Sequence, residues 1–196
     1  MIPTKKKVGL FFGSFNPIHI GHLIIANSMV ELAELDQVWL VVSPQNPFKK
    51  KSTLAHEFDR YDLVDMAIKD NFKLQVTDVE FRMPKPSYTI DTLIYLSEKH
   101  PSYEFQVIVG QDNLSHFHKW KNHEVILEDY GLVVYPRPEA KKSRFDDHPK
   151  VRMVHAPMVD ISATFIRQCL KEERSIKYIV PDEVINMIKL RKLFGA

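Results

Sequence analysis

His19, Gly21 and His22 follow a short apolar run, Val8 to Phe12, and a compact loop, Gly13-Ser14-Phe15-Asn16-Pro17. This order reads as a strand, a tight turn and a helix that opens on two imidazoles. A helix start carries unpaired backbone N–H groups and the positive end of the macrodipole, so it suits phosphate. Three residues apart, His19 and His22 share one helix face and can address one ligand. Gly21 between them lets a charged ligand approach the backbone. A second segment, Asp160-Ile161-Ser162-Ala163-Thr164-Phe165-Ile166-Arg167, places two hydroxyls and a guanidinium at another helix start. Ser162 and Thr164 could simply cap that helix. Arg167 adds a planar fork that binds phosphate oxygens in pairs. Two such segments in one chain favour a shared polyphosphate over two unrelated caps.

The elements that must position these groups alternate along the chain. Apolar runs at 8–12, 37–42, 105–109, 131–135 and 151–155 read as strands, with 73–81 extended. Helical patterns cover 20–35, 55–69, 89–100 and 162–173, and a last helix opens at Pro181 with Asp182 and Glu183 facing its dipole. Ser43 to Leu54 reads as a loop, and Pro136 to Pro149, with three prolines, as a mobile one. The expected fold is α/β: a doubly wound, Rossmann-like parallel sheet with helices on both faces. Residues 1–196 are read as a single domain with a small helical part from about 160. In such a fold ligands bind beyond the C-terminal ends of the strands. That rule gathers Ser14 to His22, Ser43 to Lys49 and Gly110 to Asp112 at one end of the sheet.

Composition narrows the partners. The net charge of +2 does not argue for nucleic acid, and Lys5 to Lys7 and Lys49 to Lys51 read as solvated surface. The aromatics lie within strand and helix patterns rather than along a basic stripe, so RNA is not expected. Cys169 is the single cysteine and reads as a packed thiol of a reducing compartment. No run is long enough to span a bilayer, and the apolar start is too short for a secretory core. A cytoplasmic protein, alone or as a homo-oligomer, is the expectation. His116 and His118 stand two apart and face away from each other on a helix, so they do not pair on a metal. His56, His100, His123, His148 and His155 read as surface residues.

His19-Ile-Gly-His22 is a signature of nucleotidyl transfer from nucleoside triphosphates. Together with Gly13 to Pro17, Ser87-Tyr88-Thr89-Ile90-Asp91-Thr92-Leu93, Val109-Gly110-Gln111-Asp112 with Trp120 following, and Ile161 to Arg167, it makes the chain resemble the nicotinate and nicotinamide mononucleotide adenylyltransferases. The resemblance runs from Val8 to the last helix. It implies adenylyl transfer from ATP to a pyridine mononucleotide, with pyrophosphate as leaving group and Mg²⁺ held mainly by the triphosphate and not by a protein site. It further implies that His19 and His22 contact the reacting phosphates and that Arg167, also catalytic, joins Ser162 and Thr164 on the ATP tail, with Gly13, Ser14 and Phe15 contacting phosphate from the loop. Gly110 and Asp112 would hold the adenosine ribose. Asn16, Lys49, Thr89, Trp120 and Arg137 would surround the acceptor, Trp120 by stacking on its ring.

The residues also admit plainer readings: Trp120 as sheet packing, and Asp112 as a cap for 113–118. Bacterial members commonly carry aspartate at the position of Asn16 and histidine at that of Phe48. The acceptor therefore stays open between acid and amide, with nicotinate mononucleotide expected. Pantetheine-phosphate adenylyltransferases and cytidylyltransferases share the histidine motif, and a non-catalytic nucleotide sensor is the alternative of a different class.

Overall fold

The structure is a computed structural model that describes residues 4–44, 54–138 and 140–196. Six parallel strands form one sheet: β1 (Lys6–Gly13), β2 (Gln37–Val42), β3 (Leu74–Thr77), β4 (Tyr103–Gly110), β5 (Leu132–Tyr135) and β6 (Val151–Met153). Their order is β3-β2-β1-β4-β5-β6. The strand order reverses between β1 and β4, which pair from Lys6↔Tyr103 to Phe11↔Ile108. A crevice therefore opens where these two strands end, at Gly13 and Gly110.

Alternation along the strands decides which face each side chain covers. Val38, Leu40 and Val42 of β2 join Phe11, Ile108 and Val133 in one core. That core is covered by α1 (Ile20–Leu32), α2 (Glu57–Ile68), α6 (Ala163–Lys171) and α7 (Asp182–Leu190). Trp39 and Val41 join Leu10, Val107, Val109 and Val134 in a second core, beneath α3 (Thr89–Lys99) and the short helix α4 (Gln111–Leu114), after which comes the one-turn helix α5 (His123–Val125). Every residue of β2 is buried, as a strand covered on both faces requires. The fold is the doubly wound one expected, and α6 and α7 share the core of α1 and α2.

Three local expectations change. The first helix ends at Leu32 rather than Leu35, because Glu34 takes a left-handed conformation (φ 50°) that returns Leu35 to the core. Asp36 then ties the sheet, its carboxylate accepting from the Lys7 amide at 2.7 Å and its own amide donating to the Lys7 carbonyl at 2.8 Å. The extended segment expected at 73–81 stops after Thr77, whose hydroxyl accepts from the Val79 amide at 3.2 Å and starts a 3₁₀ turn over Val79–Arg82. Glu80 is carried inward by that turn and is 2 % exposed.

The segment expected as a mobile loop carries fixed contacts. Ser143 donates to the Leu114 carbonyl at 3.0 Å, Asp146 accepts from the Ser143 amide, and Phe145 is buried beside Phe117. The last strand is only three residues long, and Arg152 on it donates to the Ala33 and Leu32 carbonyls at the end of α1. The last helix begins at Asp182, with Pro181 as its extended cap residue. No helix among the described residues is long and apolar enough to cross a membrane.

Candidate active site

At the C-terminal ends of β1, β4 and β5 lies a cavity of about 910 Å³, within the usual range for small-molecule sites. Gly13 ends β1 beneath the Phe15 ring: a Cβ there would lie 2.7 Å from it. Phe15 itself is left-handed (φ 43°) and 1 % exposed, packed edge-on against Phe11 and His22 at centroid distances of 5.8 and 5.1 Å. Its side chain is thus a prop under the imidazoles, and any contact of residue 15 with phosphate is left to its backbone. Ser14 lines the cavity, and its carbonyl is held from behind by Arg60.

His19 is the cap residue of α1, extended at φ −151°, and its carbonyl accepts from the His22 amide at 2.9 Å. The two imidazoles stack with centroids 3.7 Å apart and 29° between their planes. His19 is 5 % exposed, not half-exposed as a surface ligand would be. Burial, then the charge of Arg137, push its pKa down to about 4. At neutral pH it is therefore a neutral donor and not a cation. Its Nδ1 is buried without a hydrogen-bond partner among the described residues, and a Cβ on Gly21 would lie 3.1 Å from that atom. Gly21 thus makes room for the imidazole.

The second segment caps a helix and also faces the cavity. Ser162 caps α6, its Oγ accepting from the Phe165 amide at 3.2 Å, and it lines the cavity with Thr164 and Arg167. Arg167 spans from Thr164 Oγ1 (3.3 Å) to the carbonyl of Asn16 (2.8 Å), and burial lowers its pKa. A guanidinium has five N–H groups, so these two bonds leave donors for an anion. Asn16 is 3 % exposed and its Oδ1 accepts from the Ala55 amide at 3.0 Å. Asn16 also lines the cavity, so the side chain expected at the acceptor braces two loops at the cavity wall.

On the other side of the crevice Gly110 caps α4, where a Cβ would strike the Asp112 carboxylate and lie 3.2 Å from the Tyr135 ring. Asp112 does not cap the stretch after it; its carboxylate stays exposed in the cavity wall, 3.9 Å from Arg137 Nε. Arg137 lies over Tyr135, its Cζ 5.1 Å from the ring centroid. This places Arg137 with Asp112 and His19.

A further wall is the start of α3. Tyr88 caps it, and its carbonyl accepts from the Asp91 and Thr92 amides, leaving those of Thr89 and Ile90 as the helix's orphan donors. Trp120 packs on Phe117 at 5.5 Å and also lines the cavity, so packing leaves it a place in the cavity wall. Lys121 pairs with Asp91 at 2.9 Å and lies 4.8 Å over the Tyr88 ring. Lys49 falls outside the described residues. Among those described, no three His, Cys, Asp or Glu side chains converge as a metal site would need.

Sequence reasoning missed two buried ionisable residues. Arg60, 0 % exposed, donates to the carbonyls of Ser14 (2.5 Å), Ser43 (2.8 Å), Ala55 (3.0 Å) and Pro44 (3.2 Å). It clamps the loops after β1 and β2 together, and burial pushes its pKa down to about 10, still charged at neutral pH. The available signal was a charge three and four residues before Leu63 and Val64, on the helix's apolar face. Glu80 lines the cavity and accepts from Thr92 Oγ1 at 2.9 Å; its signal was an acid between Val79 and Phe81.

The cytidylyltransferase-like family model matches residues 10–169. A probable nicotinate-nucleotide adenylyltransferase of Cytophaga hutchinsonii is 57% identical over 189 residues, covering 96% of this chain and 98% of the relative. Its counterpart in Flavobacterium johnsoniae is 51% identical over 180 residues, covering 91% and 93%. Among solved structures, Plasmodium falciparum nicotinic acid mononucleotide adenylyltransferase complexed with NaAD superposes with a TM-score of 0.81 over 96% of this chain and 97% of that one. At 22% identity that likeness speaks for the fold. The chain belongs to the cytidylyltransferase-like nucleotidyltransferases and, within them, to the nicotinate-nucleotide adenylyltransferase family.

Proposed function

We propose that this chain transfers the adenylyl group of ATP to nicotinate mononucleotide, forming nicotinate adenine dinucleotide and releasing pyrophosphate. The observation that carries the reading is the convergence of His19, His22, Ser162, Thr164 and Arg167 from two helix starts on one cavity. The family relatives at 57% and 51% identity bear the corresponding name.

A phosphate monoester has its second pKa near about 6, so the acceptor is largely a dianion at neutral pH and needs no general base. An acceptor oxygen attacks the α-phosphorus of ATP, and the bond to the β-phosphate bridging oxygen breaks with its electrons leaving on pyrophosphate. Catalysis is then in-line positioning and charge neutralisation. Neutral His19 donates one N–H to phosphate oxygen, with His22 stacked beside it, and Arg167 supplies the fixed cation. Asp112 suits ribose hydroxyls, which can donate to its exposed carboxylate. Trp120 offers a stacking surface, and the Thr89 and Ile90 amides offer donors to a ring carboxylate. Mg²⁺ carried on the triphosphate would be held by phosphate oxygens and water and would help neutralise the developing charge. We place the protein in the cytoplasm, where its substrates are made and where Cys169, buried and unpaired, stays reduced.

A pyrophosphate-release assay with ATP, Mg²⁺ and nicotinate mononucleotide, nicotinamide mononucleotide or phosphopantetheine tests this. Release is expected with both pyridine acceptors and more efficiently with the acid. Release with phosphopantetheine alone, or with none, refutes the reading.

A further inference from the structure

Glu80 is a buried acid that phosphoryl chemistry does not require. It sits at the Thr89 end of the cavity wall with no arginine, lysine or histidine paired to it among the described residues. Its carboxyl group instead accepts from Thr92 Oγ1 on α3 at 2.9 Å, and the hydroxyls of Ser87 before α3 and Ser43 after β2 favour its charged form. Ser43 and Ser87 line the cavity too. The same wall carries the Thr89 and Ile90 amides assigned above to the pyridine substituent, and the inference rests on that assignment.

An ionised carboxylate only accepts, so it would hold the Thr92 hydroxyl turned inward and place a full negative charge behind the binding wall. A protonated carboxyl carries no charge and donates one bond itself, which releases a hydroxyl proton from the cluster. The cluster can accommodate that change: Thr92 has a second acceptor, the Tyr88 carbonyl, at 3.4 Å. A carboxylate on the pyridine ring is repelled by the first state and accepted by the second. A carboxamide, being neutral, discriminates far less between them.

We propose that Glu80 sets the choice between pyridine carboxylate and pyridine carboxamide, admitting the carboxylate when it carries a proton and opposing it when ionised. Burial pushes the Glu80 carboxyl up from its ordinary range, against the three hydroxyls that pull it down. The charged groups on the elements around it are Arg60 on α2, Asp78 and Arg82 on its own turn, the Lys85–Glu57 pair, and Asp91 with Lys121 beside α3. The upward push follows from burial and not from any of them. Binding of the carboxylate acceptor to the ionised enzyme then takes up one proton from solvent.

The test compares kcat/KM for nicotinate and nicotinamide mononucleotides from about pH 5 to 9, the span in which buried glutamates titrate, in wild type and Glu80→Gln. The acceptor phosphate and His19 are common to both reactions, so their titrations cancel in the ratio. The wild-type acid-to-amide ratio should fall about tenfold or more as pH rises, the scale of one charged hydrogen bond. In Glu80→Gln the ratio should stay high and flat. Calorimetric binding of each mononucleotide to wild type, in two buffers of different ionisation enthalpy, needs no variant; excess proton uptake with the acid is expected. A pH-independent wild-type ratio, an equal slope in Glu80→Gln, or equal proton uptake with both ligands overturns the proposal while leaving adenylyl transfer standing. Transfer to neither mononucleotide would overturn both.

Discussion

His19 couples the stability of the unliganded protein to pH. In the folded chain its pKa is about 4, against 6.5 for the free side chain. Between those values the unfolded chain binds more protons than the folded one, so stability rises with pH across the window and is complete above about 6.5. Below the folded value the contribution is gone. The 2.5-unit difference, from 6.5 minus 4, corresponds to about 3 kcal/mol at 1.36 kcal/mol per unit. For a chain of this size each kcal/mol moves Tm by about 2–4 °C. The perturbation is His19→Gln, which keeps a polar side chain and cannot titrate. Urea unfolding of both proteins at fixed ionic strength, from about pH 7 to pH 4, should show wild type losing about 3 kcal/mol more than the variant. Saturating ATP should shrink that excess, because the triphosphate charge draws the folded pKa upward. Equal pH slopes for the two proteins would mean that His19 is not held neutral, and the neutral-donor role would fall with it.

Arg60→Met should destabilise the fold by about 3–5 kcal/mol, as for the loss of a buried charged partner, because four carbonyls lose their donor; urea unfolding reads it, and a loss under about 1 kcal/mol would refute the clamp. Arg167→Lys keeps the charge but not the fork, and kcat/KM for ATP should drop by about 10- to 100-fold with Tm nearly unchanged. Steady-state kinetics with unaltered ATP dependence would assign Arg167 to loop bracing alone. Trp120→Ala should raise the acceptor KM by about tenfold or more, the worth of one base-type stacking contact, while the ATP KM stays put; parallel rises in both would point to lost packing on Phe117.

What the sequence disclosed was set by short-range patterning. Strand runs, helix periodicity and the three-residue spacing of His19 and His22 are encoded within a few residues, so they translated directly into β1, α1 and the stacked imidazoles. Contacts formed by distant segments were not readable in the same way. The bracing role of Asn16 was hidden because nothing local shows that Ala55, 39 residues on, donates to it. Arg60 looked like one more charge on α2, since its four acceptors belong to two loops, one after β1 and one between β2 and α2. Glu80 was hidden by the 3₁₀ turn that Thr77 initiates, which broke the alternation expected for 73–81. The prolines of 136–149 suggested mobility, whereas Ser143, Phe145 and Asp146 anchor that segment through partners the local composition does not reveal.

The sheet ends on strands of four residues at β3 and three at β6. A free strand edge invites a second chain to add its own backbone, and the risk grows with the edge's length and flatness. Here the two edges offer few consecutive donors and acceptors. Arg152 on β6 also turns a charged side chain to the end of α1, so an incoming strand would have to bury or displace it. The long apolar strands β1, β2 and β4 are all interior. Self-association by strand addition is thereby disfavoured for a chain whose central strands would otherwise be strongly aggregation-prone.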